Sequence, residues 1–195
     1  MNIIDKIENR HKNIKDNKPD WIVVHHSAAP ATQTFASIKN YHVNVQHFDT
    51  IGYHYLITND GTIYQGRPDL MHGAHCKQQG MNTKSIGICC VGDFNKNLPT
   101  PLQIISLKSL MKQKMIQYNI PLEKIVPHRH FLIPGTSSYK SCYGTRLADD
   151  YAQDLISDDV PVIPPVLPVE SKFKEFSTEL RELIDKLINK WTGRL

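Results

Sequence analysis

Residues 127–142, Pro-His-Arg-His-Phe-Leu-Ile-Pro-Gly-Thr-Ser-Ser-Tyr-Lys-Ser-Cys, collect His128, His130, Lys140 and Cys142 on a segment too rich in Pro, Gly and Ser to be a helix. Imidazole and thiolate are both zinc donors, and a third ligand can come from far away in the chain. The natural source is the apolar run Trp21–Ser27, which stops abruptly at His25-His26. On a strand these two residues point to opposite faces, so one histidine can face a metal while the other cannot. Two His and one Cys leave tetrahedral zinc a position for water, the catalytic arrangement, whereas a structural site is closed by four protein ligands. The plainer alternative, surface histidines and a buried thiol, stays open on spacing alone, because the chain has no compact CxxC or HExxH motif.

The elements that must position these groups follow from local pattern. Ile3, Ile4, Ile7 and Ile14 recur at roughly helical spacing, which predicts a short amphipathic helix over residues 3–15, ended before Pro19. Trp21–His25 is a β-branched run expected as a central strand buried on both faces. Thr34 is placed to cap a helix with Phe35, Ile38 and Tyr41 on one face, running to about Val45. Residues 52–58 and 62–65, joined by Asn59-Asp60-Gly61, predict a β-hairpin. Residues 68–82 lack periodicity and read as a long functional loop. Ser85–Val91 is a second buried strand, and Thr100-Pro101 opens a helix that ends near Asn119 and Pro121. Ile125-Val126 is a short strand delivering His128, and residues 145–156 read as a last helix.

The chain of 195 residues has room for one well-buried α/β domain and an appendage. Its formal charge of +4 is modestly basic and suits an anionic partner such as a cell wall or lipid surface. No basic tract carries interleaved aromatics, so nucleic-acid binding is not indicated. Cys76, Cys89, Cys90 and Cys142 are not spaced as a disulfide framework, and adjacent Cys89 and Cys90 should face opposite sides of a strand as small buried hydrophobes. Residues 1–18 are charged throughout, with no apolar core of a secretion signal, so the expected site of synthesis and retention is the cytoplasm. The expected organisation is a helical segment over 1–19, a catalytic domain over 20–157, a Pro-rich linker over 158–169 and an amphipathic helix over 170–195. On that last helix Phe173, Phe176, Leu180, Leu183 and Leu187 repeat at threes and fours, opposite Lys and Glu. It could pack on the domain, self-associate, lie on a membrane or envelope surface, or meet a protein partner.

Six segments then line up in order: Val24-His25-His26-Ser27-Ala28, Gly52-Tyr53-His54-Tyr55-Leu56-Ile57, Asn59-Asp60-Gly61-Thr62-Ile63-Tyr64, Gly73-Ala74-His75, residues 82–88 and Tyr139-Lys140-Ser141-Cys142. Together they resemble the zinc-dependent N-acetylmuramoyl-L-alanine amidases of the type 2 class, which include phage lysozyme-like amidases and peptidoglycan recognition proteins. The resemblance covers about residues 20–155. It implies an α/β fold with a central mixed sheet flanked by helices and zinc at the bottom of an open groove. It selects His25, His128 and Cys142 as ligands, and leaves His26 and His130 to packing or supporting contacts. Tyr53 and Lys140 fall on the two catalytic positions, and His75 and Asn82 on groove positions that contact substrate.

The implied chemistry suits these residue types. Zinc lowers the pKa of a water toward about 7, so that it attacks an amide carbonyl at neutral pH. Tyr53 would position or deprotonate that water, and Lys140 would stabilise the oxyanion. The implied substrate is the amide joining N-acetylmuramic acid to L-alanine in peptidoglycan, and the setting that of a phage or prophage endolysin. Members tuned to diaminopimelate often carry Gly-Trp shortly before the Gly-Tyr motif, where this chain has His47-Phe48, so stem-peptide preference stays open. The rival is a module of the same fold that binds peptidoglycan without cutting it. Such members lack the metal cysteine, which this chain retains as Cys142.

Overall fold

Strand β2 (Trp21–His26) carries His25, and its neighbours explain why it can do so in the interior. In the computed structural model, which describes residues 1–7, 15–135 and 140–157, β2 lies between two parallel partners. These are β5 (Ser85–Cys90), in register from Trp21 opposite Ser85 to His26 opposite Cys90, and β6 (Ile125–Pro127), from Ile22 opposite Ile125 to Val24 opposite Pro127. With β1 (Ile3–Asp5), β3 (Tyr55–Ile57) and β4 (Ile63–Gln65) they form one sheet in the order β1-β4-β3-β5-β2-β6. Pairing is parallel except for the β3–β4 hairpin, so the sheet is mixed, as expected.

Side chains alternate across β2 and β5 and define the two faces. Ile22, Val24, Ile86, Ile88 and Cys90 pack with Leu107, Leu110 and Met111 of α2 (Pro101–Tyr118) and Ala152 and Leu155 of α3 (Tyr151–Ser157). On the other face Cys89 and Leu56 meet Ile38 of α1 (Phe35–Asn44), while Val23 joins Cys76, Met81, Val126 and Phe131. Cys89 and Cys90 therefore do face opposite layers, and both are free thiols.

The helix ends fall where the capping residues predict. Thr34 accepts from Ser37 N–H at 3.1 Å, and Thr100 accepts from Gln103 N–H at 3.1 Å while the Gln103 amide oxygen takes Thr100 N–H at 3.1 Å. Such reciprocal caps satisfy orphan donors of the first turn. Asn119 closes α2 in the left-handed region at φ 52°. In the hairpin, Asp60 accepts from the Thr58 hydroxyl at 2.6 Å and from Thr62 N–H at 3.1 Å. Gly61 turns there at φ +77°, and a Cβ on it would lie 2.9 Å from the Leu102 carbonyl oxygen.

The N-terminal segment departs from the expected helix. Ile3–Asp5 is an edge strand parallel to β4, with Ile3 opposite Ile63 and Asp5 opposite Gln65. The free edge of β4 offers hydrogen bonds that a period-counting argument cannot see, and the adjacent β-branched Ile3 and Ile4 suit a strand. The last helix is also shorter than expected, since α3 starts at Tyr151. The remainder of the N-terminal expectation falls partly on residues 8–14, and the linker and amphipathic helix on residues 158–195; these lie outside the described residues. Among the described residues, no helix is long and apolar enough to cross a membrane.

Candidate metal centre and groove

The C-terminal ends of β2 and β6 bring the ligand candidates together. His25, 1 % exposed, is the penultimate residue of β2, and His128 follows β6 directly on a short turn of 3-10 helix, His128–Phe131. Cys142 arrives from the loop region beyond and places Sγ 3.5 Å from His25 Nδ1. The His25 and His128 rings lie 4.7 Å apart, and one ligand atom from each of His25, His128 and Cys142 falls within 4.8 Å of the others. Among the described residues this is the group that could hold a metal ion.

The electrostatics fit a cation. Burial, followed by the neighbouring His128 and His75, holds His25 well below the ordinary histidine range. Burial and the Lys140 cation bring His128 down to about 4. Both imidazoles are therefore neutral at pH 7 and offer lone pairs. Burial pushes the Cys142 thiol up to about 12, so the thiolate needs a positive charge beside it. Zinc binding removes such a proton on entry, and the soft sulfur and two neutral nitrogens match its preferred donors.

The second histidine of each pair is elsewhere. His26 has the parity of Val24 and Ile22; its Nδ1 accepts Phe94 N–H at 2.9 Å, and its ring lies 5.7 Å from Phe94. His130 is exposed and packs beside Trp21 at 6.1 Å.

A groove of about 1130 Å³ runs over the cluster. Tyr53 and Lys140 line it, and the Tyr53 ring lies 5.3 Å from the His25 ring. The Tyr53 phenol is raised well above its usual range by burial and by the neighbouring Cys89 and Cys142. It is thus a protonated hydroxyl at neutral pH. Lys140 is exposed at the rim, and its charge reaches the floor through its effect on His128. Asn82 and His75 also line the groove, but the Asn82 side-chain oxygen accepts His75 N–H at 2.9 Å and Cys76 N–H at 2.8 Å. His75 Nδ1 lies 3.0 Å from His25 Nε2.

Two supporting residues escape sequence reasoning. Arg129, between the histidines of His-Arg-His, donates its backbone N–H to the Cys142 carbonyl at 2.8 Å. Its guanidinium reaches Asp149, the Gly144 carbonyl at 2.5 Å and the Leu147 carbonyl at 2.6 Å. It ties the cysteine loop to the turn holding His128, and the available signal was a lone arginine inside a ligand motif. Gln78 places Oε1 3.4 Å from His128 Nε2, and no motif marks it.

Residues 15–145 match the family model described as N-acetylmuramoyl-L-alanine amidase. Peptidoglycan-recognition protein 2 of Holotrichia diomphalia is 35% identical over 99 residues, 47% of this chain and 52% of that protein. The chain thus spans about half the length of that relative. The endolysin of Escherichia phage T7 is 37% identical over 107 residues, 51% of this chain and 68% of the endolysin. Among solved structures, N-acetylmuramoyl-L-alanine amidase LysC from Clostridium intestinale URNW superposes with a TM-score of 0.65 at 30% identity, over 75% of this chain and 91% of LysC.

Proposed function

Because the chain belongs to the N-acetylmuramoyl-L-alanine amidase family, we propose that it is a zinc-dependent hydrolase cutting the amide between N-acetylmuramic acid and L-alanine of bacterial peptidoglycan, in the manner of an endolysin. The observation that carries the reading is the convergence of His25, His128 and Cys142 within 4.8 Å at the floor of a groove that Tyr53 and Lys140 also line. A site built only to bind glycan or peptide has no use for a buried thiol between two neutral imidazoles.

His25, His128 and Cys142 hold the zinc. When bound, it supplies Lewis acidity toward the amide carbonyl and lowers the pKa of water at the site. Tyr53, kept protonated chiefly by burial, hydrogen-bonds the attacking water and orients it rather than acting as a phenolate base. Lys140 brings a positive charge to the carbonyl oxygen as negative charge develops there. The groove holds the glycan and stem peptide with the scissile amide over the cluster.

The test is mass spectrometry of purified peptidoglycan digested with the zinc-loaded protein beside a chelated control. Free stem peptides beginning with L-alanine, lost on chelation, are the expected products. Intact muropeptides in both samples, with protein retained on the wall, would replace the reading with a binding module.

A further inference from the structure

The ring of His75 is held on several sides. Its Nδ1 meets His25 Nε2 at 3.0 Å, with the two rings edge to face at 85°. Gly73 and Gly87 lie so close to it that a Cβ on either would stand 2.3 and 2.5 Å from the imidazole. Gly87 pairs with Val23 on the neighbouring strand, two residues before His25 and on the same face, so the slot is cut beside the ligand. Asn82 secures the backbone around it, accepting from His75 and Cys76 N–H through its side chain and from Gly73 N–H through its carbonyl at 2.7 Å. The remaining ring nitrogen, Nε2, is buried without a hydrogen-bond partner. Neither nitrogen of His75 is therefore presented to a substrate in the groove.

We propose that His75 is a positioning residue for the metal centre, accepting the Nε2 proton of His25 so that the Nδ1 lone pair of His25 is the one left facing Cys142. The inference rests on the zinc reading above. A neutral imidazole carries one proton, and the hydrogen bond at one nitrogen decides which atom can ligate. If His75 donated instead, the His25 proton would sit on Nδ1, the atom 3.5 Å from Cys142 Sγ, and ligation there would be blocked. With His25 donating, the proton of His75 lies on Nε2, the nitrogen enclosed in the glycine slot. The slot and the Asn82 clamp hold that acceptor at a fixed distance, which a flexible groove side chain would not do.

The decisive measurement is NMR of the full-length, zinc-loaded protein carrying isotopically labelled histidine. His25 should appear metallated at Nδ1, with a slowly exchanging proton at Nε2; metallation at Nε2 would overturn the proposal. This readout uses the unmodified protein, so it stands even if a variant misfolds. His75→Phe, which keeps a ring but no acceptor, should bind zinc about 10–100-fold more weakly in competition with a chromogenic chelator. His75→Gln, which restores an acceptor oxygen, should recover part of that loss. Unchanged zinc affinity in His75→Phe with only KM raised would overturn the proposal and return His75 to substrate contact. None of these affinities depends on turnover, so a zinc-binding but inactive wild type would sink the amidase reading while His75 is still decided by the variant comparison.

Discussion

Two buried polar clusters share this sheet, and they differ in whether their charges are balanced. Around Asp69 the carboxylate takes the Lys114 ammonium at 2.6 Å and the Tyr55 and Tyr118 hydroxyls at 2.7 and 2.9 Å. Lys114 also reaches Gln117 at 3.0 Å and lies over the Tyr55 ring. Asn17 donates to the Asp69 carbonyl at 2.8 Å and to the Ser85 carbonyl at 2.9 Å. Each charge has its counter-charge in place, so this cluster asks for no ligand. The cluster around His25 is the reverse, with neutral imidazoles crowded together and a thiol that burial keeps protonated. A charge-balanced network ties parts of the fold together, whereas one that lacks a charge marks where a ligand belongs.

The metal cluster is most vulnerable at its thiol. Cys142→Ser puts a neutral hydroxyl where a thiolate is required, and should reduce activity to that of the chelated wild type, with zinc lost on gel filtration. The fold should survive, as judged by circular dichroism. Lys114→Met strikes the other cluster and leaves the buried Asp69 charge unpaired, which should cost about 3–5 kcal/mol of stability in denaturant unfolding. Zinc content of the folded fraction should stay at the wild-type level; a joint loss would show that the clusters are not independent. Lys140→Ala should keep zinc but lower turnover about 10²–10³-fold, and near-unchanged turnover would remove Lys140 from the mechanism.

A pH titration separates the clusters more finely. His54, fully buried, accepts Gly87 N–H at Nδ1 (3.0 Å) and donates from Nε2 to the Met71 carbonyl at 2.8 Å. Burial brings its pKa from 6.5 to about 4. The unfolded chain therefore takes up the proton first, and stability is full above pH 6.5 and lost as pH falls toward about 4. His54 alone accounts for about 3 kcal/mol over that window. Thermal unfolding of the chelated protein should show the fall, and a flat profile would contradict the buried neutral imidazole. The smallest effect is expected from Asn82→Ala, which frees the backbone around His75 and should weaken zinc binding less than His75→Phe does.

The elements that local chemistry dictates were legible in advance. Thr34, Thr100 and Pro101 mark helix starts, Asp60-Gly61 marks the hairpin, and the β-branched run before His25 marks the central strand. The Ile3–Asp5 strand was not legible, because its stability comes from the open edge of β4, far along the chain. Alternation alone required that one of His25 and His26 face away from any metal. Which one turned away depends on what the two layers contain: Phe94 N–H donates to His26, and Cys142 and His75 meet His25.

Local sequence determined the donor types, the strand that ends in a histidine pair, the short strand that delivers His128 and the family these motifs resemble. Tertiary structure alone decided that residues 25, 128 and 142 converge, that Arg129 ties the loop of Cys142 to the turn of His128, and that His75 faces His25 across a glycine slot. The physical reason is range. Capping, turns and strand alternation act over a few residues and are written locally, whereas a metal centre depends on side chains of distant segments whose separation is set only when the sheet closes.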